Sequence, residues 1–136
     1  MNVQAYLSFE GRAVEAIEFY KAALGATVDM MMQFKDAPPE MNVSPESKDK
    51  VMHAAFHVGD TQLMATDGQC SGKSSFSGIS LTLNASSNEE ADKLFNALAQ
   101  GGKVNMPMGE TFFAHRFGMV ADKFGVGWMV IHSKMP

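Results

Sequence analysis

The chain has 136 residues, of which 46% are hydrophobic and 19% charged, with a formal net charge of -4. That composition suits one globular domain and is too apolar for a disordered chain, and the acidic balance argues against nucleic acid, whose phosphates need a basic face. No apolar run approaches the ~20 residues of a membrane span, residues 1–10 lack a secretion-signal pattern, and the lone Cys70 excludes an intramolecular disulfide, so a cytoplasmic protein without membrane partners is expected.

Val3 to Phe9 alternates, with Val3, Ala5, Leu7 and Phe9 on one face and Gln4, Tyr6 and Ser8 on the other, which predicts a strand. Ala13 to Leu24 predicts a helix through Ala16, Phe19, Tyr20 and Ala23, stopped by Gly25. Thr27 to Phe34 follows as a second strand. Lys35 to Lys50 holds Pro38, Pro39, Pro45 and a dense run of charges, the composition of an exposed loop. Val51 to Val58 and Gln62 to Thr66 read as a hairpin turning at Gly59-Asp60-Thr61. Asp67 to Gly78 is rich in Gly and Ser and reads as a linker. Ile79 to Leu83 alternates again, with Ser80 and Thr82 opposite Leu81 and Leu83. Ser87, with Glu90 three residues on, predicts a capping box for a helix from Glu89 to Gln100 that carries Ala91, Leu94, Phe95 and Leu98. Lys103 to Met108, Phe113 to Ala121 and Trp128 to His132 complete the strands.

The order strand, helix, three strands thus occurs twice. Glu15-Ala16 and Phe19-Tyr20 match Glu90-Ala91 and Leu94-Phe95, and Gly25 and Val28 match Gly101 and Val104; His53, Val58 and Asp60 match His115, Val120 and Asp122 at a shorter offset. A duplicated unit follows, with residues 1–136 forming a single domain of two modules, about 1–68 and 77–136. One such unit cannot bury both faces of its sheet alone.

The segments AYLSFEGRAVEAIEFYKAALGA, MATDGQCSGKSSFSGISLTL and ETFFAHRFGMVADKFGVGWMV resemble the vicinal oxygen chelate superfamily of glyoxalases, bleomycin-resistance proteins and dioxygenases, and within it the PhnB-like branch. The resemblance implies an α+β fold of paired βαβββ modules, eight strands curled into an open cup, a small-molecule ligand in the concave face and a homodimer. It also implies one divalent metal. Gln4 stands at the first-strand ligand position, Ser80 where a His is usual, Met129 at or next to the closing Glu, and Leu63 is the nearest match on the fourth strand. An alcohol, a thioether and an amide do not suit a hard divalent cation. No metal and no cofactor are therefore expected. Some relatives carry a demethylubiquinone methyltransferase label, but no S-adenosylmethionine-binding fold is evident in the sequence.

Four histidines and twelve methionines remain to be placed. His53 and His57 share one strand face about 13 Å apart, too far to share a metal. His115, in an aromatic stretch near Glu110, is the candidate general acid-base with that carboxylate. The pocket candidates are Gln4, Tyr6, Ser8, Ser80, Thr82, Phe112 and Met129, with Leu7, Leu81, Leu83 and Trp128 turned to the helices. Methionines fill core space or form an adaptable binding wall. Cys70 near Lys73 has no identified base, and Ser71-Gly72-Lys73-Ser74 lacks the glycine spacing and following helix of a phosphate loop. The expected function is metal-independent binding of a small molecule in a concave apolar pocket. The alternatives are a metal-dependent glyoxalase or dioxygenase-type enzyme with a non-standard site of Gln4, a histidine and Glu110, and a metal-free acid-base enzyme.

Overall fold

A computed structural model of the chain describes residues 1–41 and 43–135. The chain divides into two compact units, Met1–Ser74 and Ser75–Pro136. The first contains β1 (Tyr6–Ser8), α1 (Ala13–Leu24), β2 (Thr27–Gln33), β3 (Val51–Val58) and β4 (Thr61–Thr66). The second repeats the order with β5 (Ser80–Asn84), α2 (Asn88–Leu98), β6 (Lys103–Gly109), β7 (Ala114–Ala121) and β8 (Gly127–Ser133). The sheets run β1-β4-β3-β2 and β5-β8-β7-β6. In each the first and last strands of the unit pair in parallel and the other neighbours are antiparallel. These are two βαβββ modules, each with an open four-stranded mixed sheet, as the sequence predicts for an α+β fold. Among the described residues no helix is long and apolar enough to cross a membrane.

The helices form where the apolar spacing places them, and each covers one face of its own sheet. The buried stripe of α1 is Ala13, Ala16, Ile17 and Tyr20, centred slightly to the N-terminal side of the Ala16, Phe19, Tyr20, Ala23 stripe. Tyr20 stacks on Phe56 of β3 at 6.1 Å between ring centroids. Gly25 ends the helix in the left-handed region at φ 68, with its N–H on Lys21 O. In α2 the buried residues are Ala91, Phe95 and Leu98. Phe95 lies over Gly118 of β7, where an added Cβ would come within 2.8 Å of its ring, so this glycine makes room for the helix.

The two helix starts are held in different ways. Ser87 accepts from Glu90 N–H at 3.0 Å, and Glu90 accepts in return from Ser86 N–H at 2.8 Å, one residue earlier than a standard capping box. Arg12, at the same place before α1, makes no side-chain cap. Asp67 caps that helix from beyond β4. Its Oδ1 accepts from Gly11 and Ala13 N–H and its Oδ2 from Val51 N–H, all at 2.8 Å, and the side chain is fully buried.

The stretch after Asp67 is tied to the first unit over its initial residues. Glu10 accepts from Gln69 N–H, Ser71 N–H and the Ser8 and Ser71 hydroxyls, and Gly72 N–H donates to Glu10 O. Cys70 is half-buried in this turn with φ 53, and the Ser71 hydroxyl faces a carboxylate, not an anion site. Residues 34–50 form three short 3-10 turns, Phe34–Asp36, Pro39–Met41 and Pro45–Ser47, mostly exposed as expected; Asn42 lies outside the described residues. Asp122 closes the β7–β8 turn. It accepts from Phe124 and Val126 N–H and from Trp128 Nε1 at 2.9 Å.

Asp67→Ala leaves three backbone donors without their acceptor and is expected to cost about 3–5 kcal/mol of stability, read by urea denaturation. Asp60→Ala, at an exposed turn position, is expected to stay within about 0.5 kcal/mol.

Candidate functional site

Strand alternation gives each sheet a helix-covered face and a helix-free face. In the first unit Leu7, Ala54, Phe56, Leu63 and Ala65 are buried on the α1 side. The opposite face carries one row that crosses all four strands, because Tyr6 pairs with Met64, Met64 with Ala55 and Ala55 with Met30. The second unit repeats this row as Thr82, Met129, Met119 and Met106. Methionine recurs in both rows, so part of the high methionine content lies on sheet faces and not under the helices.

Hydrogen-bonded groups stand on either side of the row in the first unit. On one side Tyr6 Oη and His53 Nδ1 are 2.8 Å apart, with their rings edge to face at 5.4 Å. On the other side runs a chain of four side chains. Gln4 Nε2 donates to Gln62 Oε1 at 2.9 Å, Gln62 Nε2 donates to Asp29 Oδ2 at 3.0 Å, and His57 Nδ1 meets the same Asp29 oxygen at 2.5 Å. Asp29 reaches His57 from a bulge, where the β2–β3 register shifts between Val28 and Met30. The Gln62 amide, and then the His57 imidazole, hold the Asp29 carboxyl below its usual range.

Gln4, Tyr6 and Ser8 therefore lie on the helix-free face of the first sheet, and Ser80, Thr82 and Met129 on that of the second. Leu81, Leu83 and Trp128 take the α2 side, as alternation requires. Phe112 is 93% exposed in the turn before β7 and belongs to neither row. His115 and Glu110 are not hydrogen-bonded or ion-paired with each other. Glu110 pairs with Lys134 at 2.8 Å, which is the main reason its carboxyl is held below the usual range. The His115 ring lies 4.8 Å from that of His132, whose Nδ1 bonds Asn88 Oδ1 of α2. A register shift between Ala114 and Arg116 separates His115 from simple alternation.

Register also corrects two sequence matches. Leu63 faces α1, and the residue beside Gln4 is Gln62; the corresponding partner of Ser80 is Gly127. His53 corresponds to Phe117 and not to His115. Four residues separate His57 from Gln62, whereas five separate the corresponding Ala121 from Gly127, and Asp60 and Asp122 stand at different places in these turns, so counting back from them misaligns the strands. Asp29, His57 and Gln62 were not singled out as a group by sequence. The one available signal was His57 and Gln62 flanking a two-residue turn at equal spacing.

The divalent metal implied by the resemblance does not fit these residues. The Gln4 amide is engaged with Gln62, Ser80 and Met129 offer an alcohol and a thioether, and neither Gln62 nor Gly127 is a carboxylate. Among the described residues no group of three or more His, Cys, Asp or Glu is gathered as a cation site.

The sequence profile of the family described as 3-demethylubiquinone-9 3-methyltransferase matches residues 1–131. Protein YjdN of Escherichia coli (strain K12) is 37% identical over 138 residues, 96% of this chain and 94% of its own. Among solved structures, protein PA1353 from Pseudomonas aeruginosa has a TM-score of 0.84 at 43% identity over 97% of both chains. The PhnB protein from Bacillus cereus has a TM-score of 0.80 at 28% identity, over 97% of this chain and 99% of that one. Glyoxalase-related and glyoxalase/bleomycin resistance protein/dioxygenase family structures share the fold at TM-scores of 0.64 and 0.58, with 17% and 18% identity.

Gln62→Ala removes the largest cause of the Asp29 shift, so the Asp29 carboxyl is expected to titrate at higher pH in a carbon-13 NMR titration. The sign for stability follows. A carboxyl whose folded value is depressed adds stability above its unfolded value and loses it as pH falls through the folded value. The acid limb of the stability profile should therefore be shallower in Gln62→Ala, by a small amount because the group is exposed.

Proposed function

The chain belongs to the 3-demethylubiquinone-9 3-methyltransferase (PhnB-like) family, with a fold of the glyoxalase/bleomycin-resistance/dioxygenase type, and on that premise we propose that it is a metal-independent small-molecule binding protein. The observation that carries this reading is the helix-free face of the first sheet. There Met64, Ala55 and Met30 form an apolar strip beside Tyr6, flanked by the Tyr6–His53 pair and the Gln4–Gln62–Asp29–His57 chain. An apolar surface with a few placed polar groups is what orients a small ligand. Methionine adapts such a surface to flat or irregular shapes. On the second sheet, considered by itself, Ser80, Thr82 and Met129 give the helix-free face hydroxyl and apolar groups. Binding by shape and hydrogen bonds needs none of the cation chemistry that the donor set fails to provide.

The reading includes a homodimer. Val28 and Met31 on β2 and Val104 on β6, which alternate away from the helix-free rows, are exposed apolar residues on sheet-edge strands, and such edges are usually covered. Light scattering at micromolar concentration should give twice the chain mass; a monomer removes this part of the proposal.

Thermal-shift measurements with a panel of planar aromatic compounds bearing a hydroxyl or carbonyl group test the binding itself. A ligand at about 100 times its Kd adds about 2.7 kcal/mol, which raises Tm by several degrees. Tyr6→Phe is expected to weaken the best ligand by about 1 kcal/mol, and Met30→Lys to weaken it further. A panel without a stabilising compound, or one indifferent to both substitutions, overturns the reading. A divalent cation retained through purification and required for binding overturns metal independence.

A further inference from the structure

The second unit is an internal control for what the first unit needs in order to fold. Both edge strands carry a bulge at the same place, at Asp29 between Val28 and Met30 and at Asn105 between Val104 and Met106. Thr27 pairs with His57 where Lys103 pairs with Ala121, so His57 corresponds to Ala121. Tyr6 pairs with Met64 where Thr82 pairs with Met129, so Gln4 and Gln62 correspond to Ser80 and Gly127. The chain Gln4, Gln62, Asp29, His57 thus becomes Ser80, Gly127, Asn105, Ala121, a set with no titratable side chain. The second sheet has the same strand order without it. Building this sheet does not require the His57–Asp29 pair.

The pair also has the polarity of a proton acceptor. An ionised Asp29 only accepts, so His57 Nδ1 carries the hydrogen between them, and in the neutral ring Nε2 is left with its lone pair. Nε2 has no hydrogen-bond partner among the described residues, and the His57 side chain is 39% exposed. Gln62, itself held by Gln4, fixes Asp29 from the other side. The row of Met64, Ala55 and Met30 lies one alternation step away along the strands, roughly 7 Å, about the width of an aromatic ring.

We infer that the ligand of this face is a flat, largely apolar molecule with an acidic hydroxyl, a phenol or an enol, and that His57 takes its proton. The inference rests on the binding reading above and narrows it to a ligand class. The proton passes from the hydroxyl oxygen to His57 Nε2, the electron pair of the broken O–H bond stays on the oxygen, and the imidazolium pairs with the Asp29 carboxylate. Asp29 and Gln62 act as positioning residues.

The probe is para-nitrophenol, added to the full chain at a pH slightly below that at which the free probe ionises. With the wild-type protein the yellow phenolate band should grow as complex forms, with binding followed independently by calorimetry. His57→Gln keeps a hydrogen-bonding amide but takes no proton, so its band per bound probe should fall by about tenfold or more. Asp29→Asn should lower the band while probe still binds, a change that a purely structural role would not produce. Equal bands in wild type and His57→Gln overturn the inference; if Met30→Lys still weakens the probe, the broader reading survives. Failure of wild type to bind the probe overturns the ligand class, while the broader reading stands or falls by its own panel.

Discussion

A four-stranded sheet has two faces, and each unit of this chain supplies one helix to cover them. That single constraint sorts almost every side chain. Residues of one parity, such as Leu7, Phe56 and Leu63 under α1 and Trp128 and Val130 under α2, are buried. Residues of the other parity, such as Tyr6, Met64, Thr82 and Met129, are left on a face that the unit's own helix does not reach. Because the period is two, a slip of one residue would exchange the faces completely. The register therefore has to be pinned, and the pins are polar. Asp67 ties the end of β4 to the start of β3 and to the first turn of α1, and Asp122 fastens the β7–β8 turn and the indole of Trp128.

Those two carboxylates explain why the units can be alike in outline and different in detail. In α2 the cap is local: Ser87 and Glu90 lie within one turn of each other, and the pattern is visible in the sequence. In α1 the corresponding donors are met by Asp67, 54 residues from Ala13, and no local pattern announces it. The Gly/Ser-rich stretch after β4 was legible as a connection, but the carboxylate at its head was not legible as part of the first helix. Alternation placed Gln4, Tyr6, Ser8, Ser80, Thr82 and Met129 on the correct faces because it needs only the strand itself. It could not place Leu63 against Gln62, since choosing between neighbours requires the pairing with β1.

Bulges and turn lengths account for the other gaps. In Val28-Asp29-Met30-Met31-Met32 nothing marks an extra residue, yet the bulge puts both Asp29 and Met30 on the helix-free face and so joins a charged group to the apolar row. The same device in β7, between Ala114 and Arg116, takes His115 out of alternation and beside His132. The equivalence of His53 with His115 failed for a related reason. It was counted from aspartates in two turns of unequal length, whereas the hydrogen-bond ladder, which is what conserves position in a sheet, pairs His53 with the place held by Phe117.

In a duplicated scaffold, a side-chain group that one copy lacks is not needed to build the sheet that both copies share. Gly25 and Gly101, Val28 and Val104, the edge-strand bulge and the methionine-bearing row are common to both units. The hydrogen-bonded chain from Gln4 to His57 has no counterpart in the second unit. Neither does the proline-rich excursion, which is closed at its base by Phe34 N–H on Lys50 O and Lys35 N–H on Lys48 O, and from which Lys50 Nζ reaches Gly11 O. Both of these features belong to the first unit, and polar side chains on an exposed face add little to stability. The second sheet forms without such a chain; the first carries an ordered set of donors and acceptors beyond that requirement, set beside the apolar row of Met64, Ala55 and Met30.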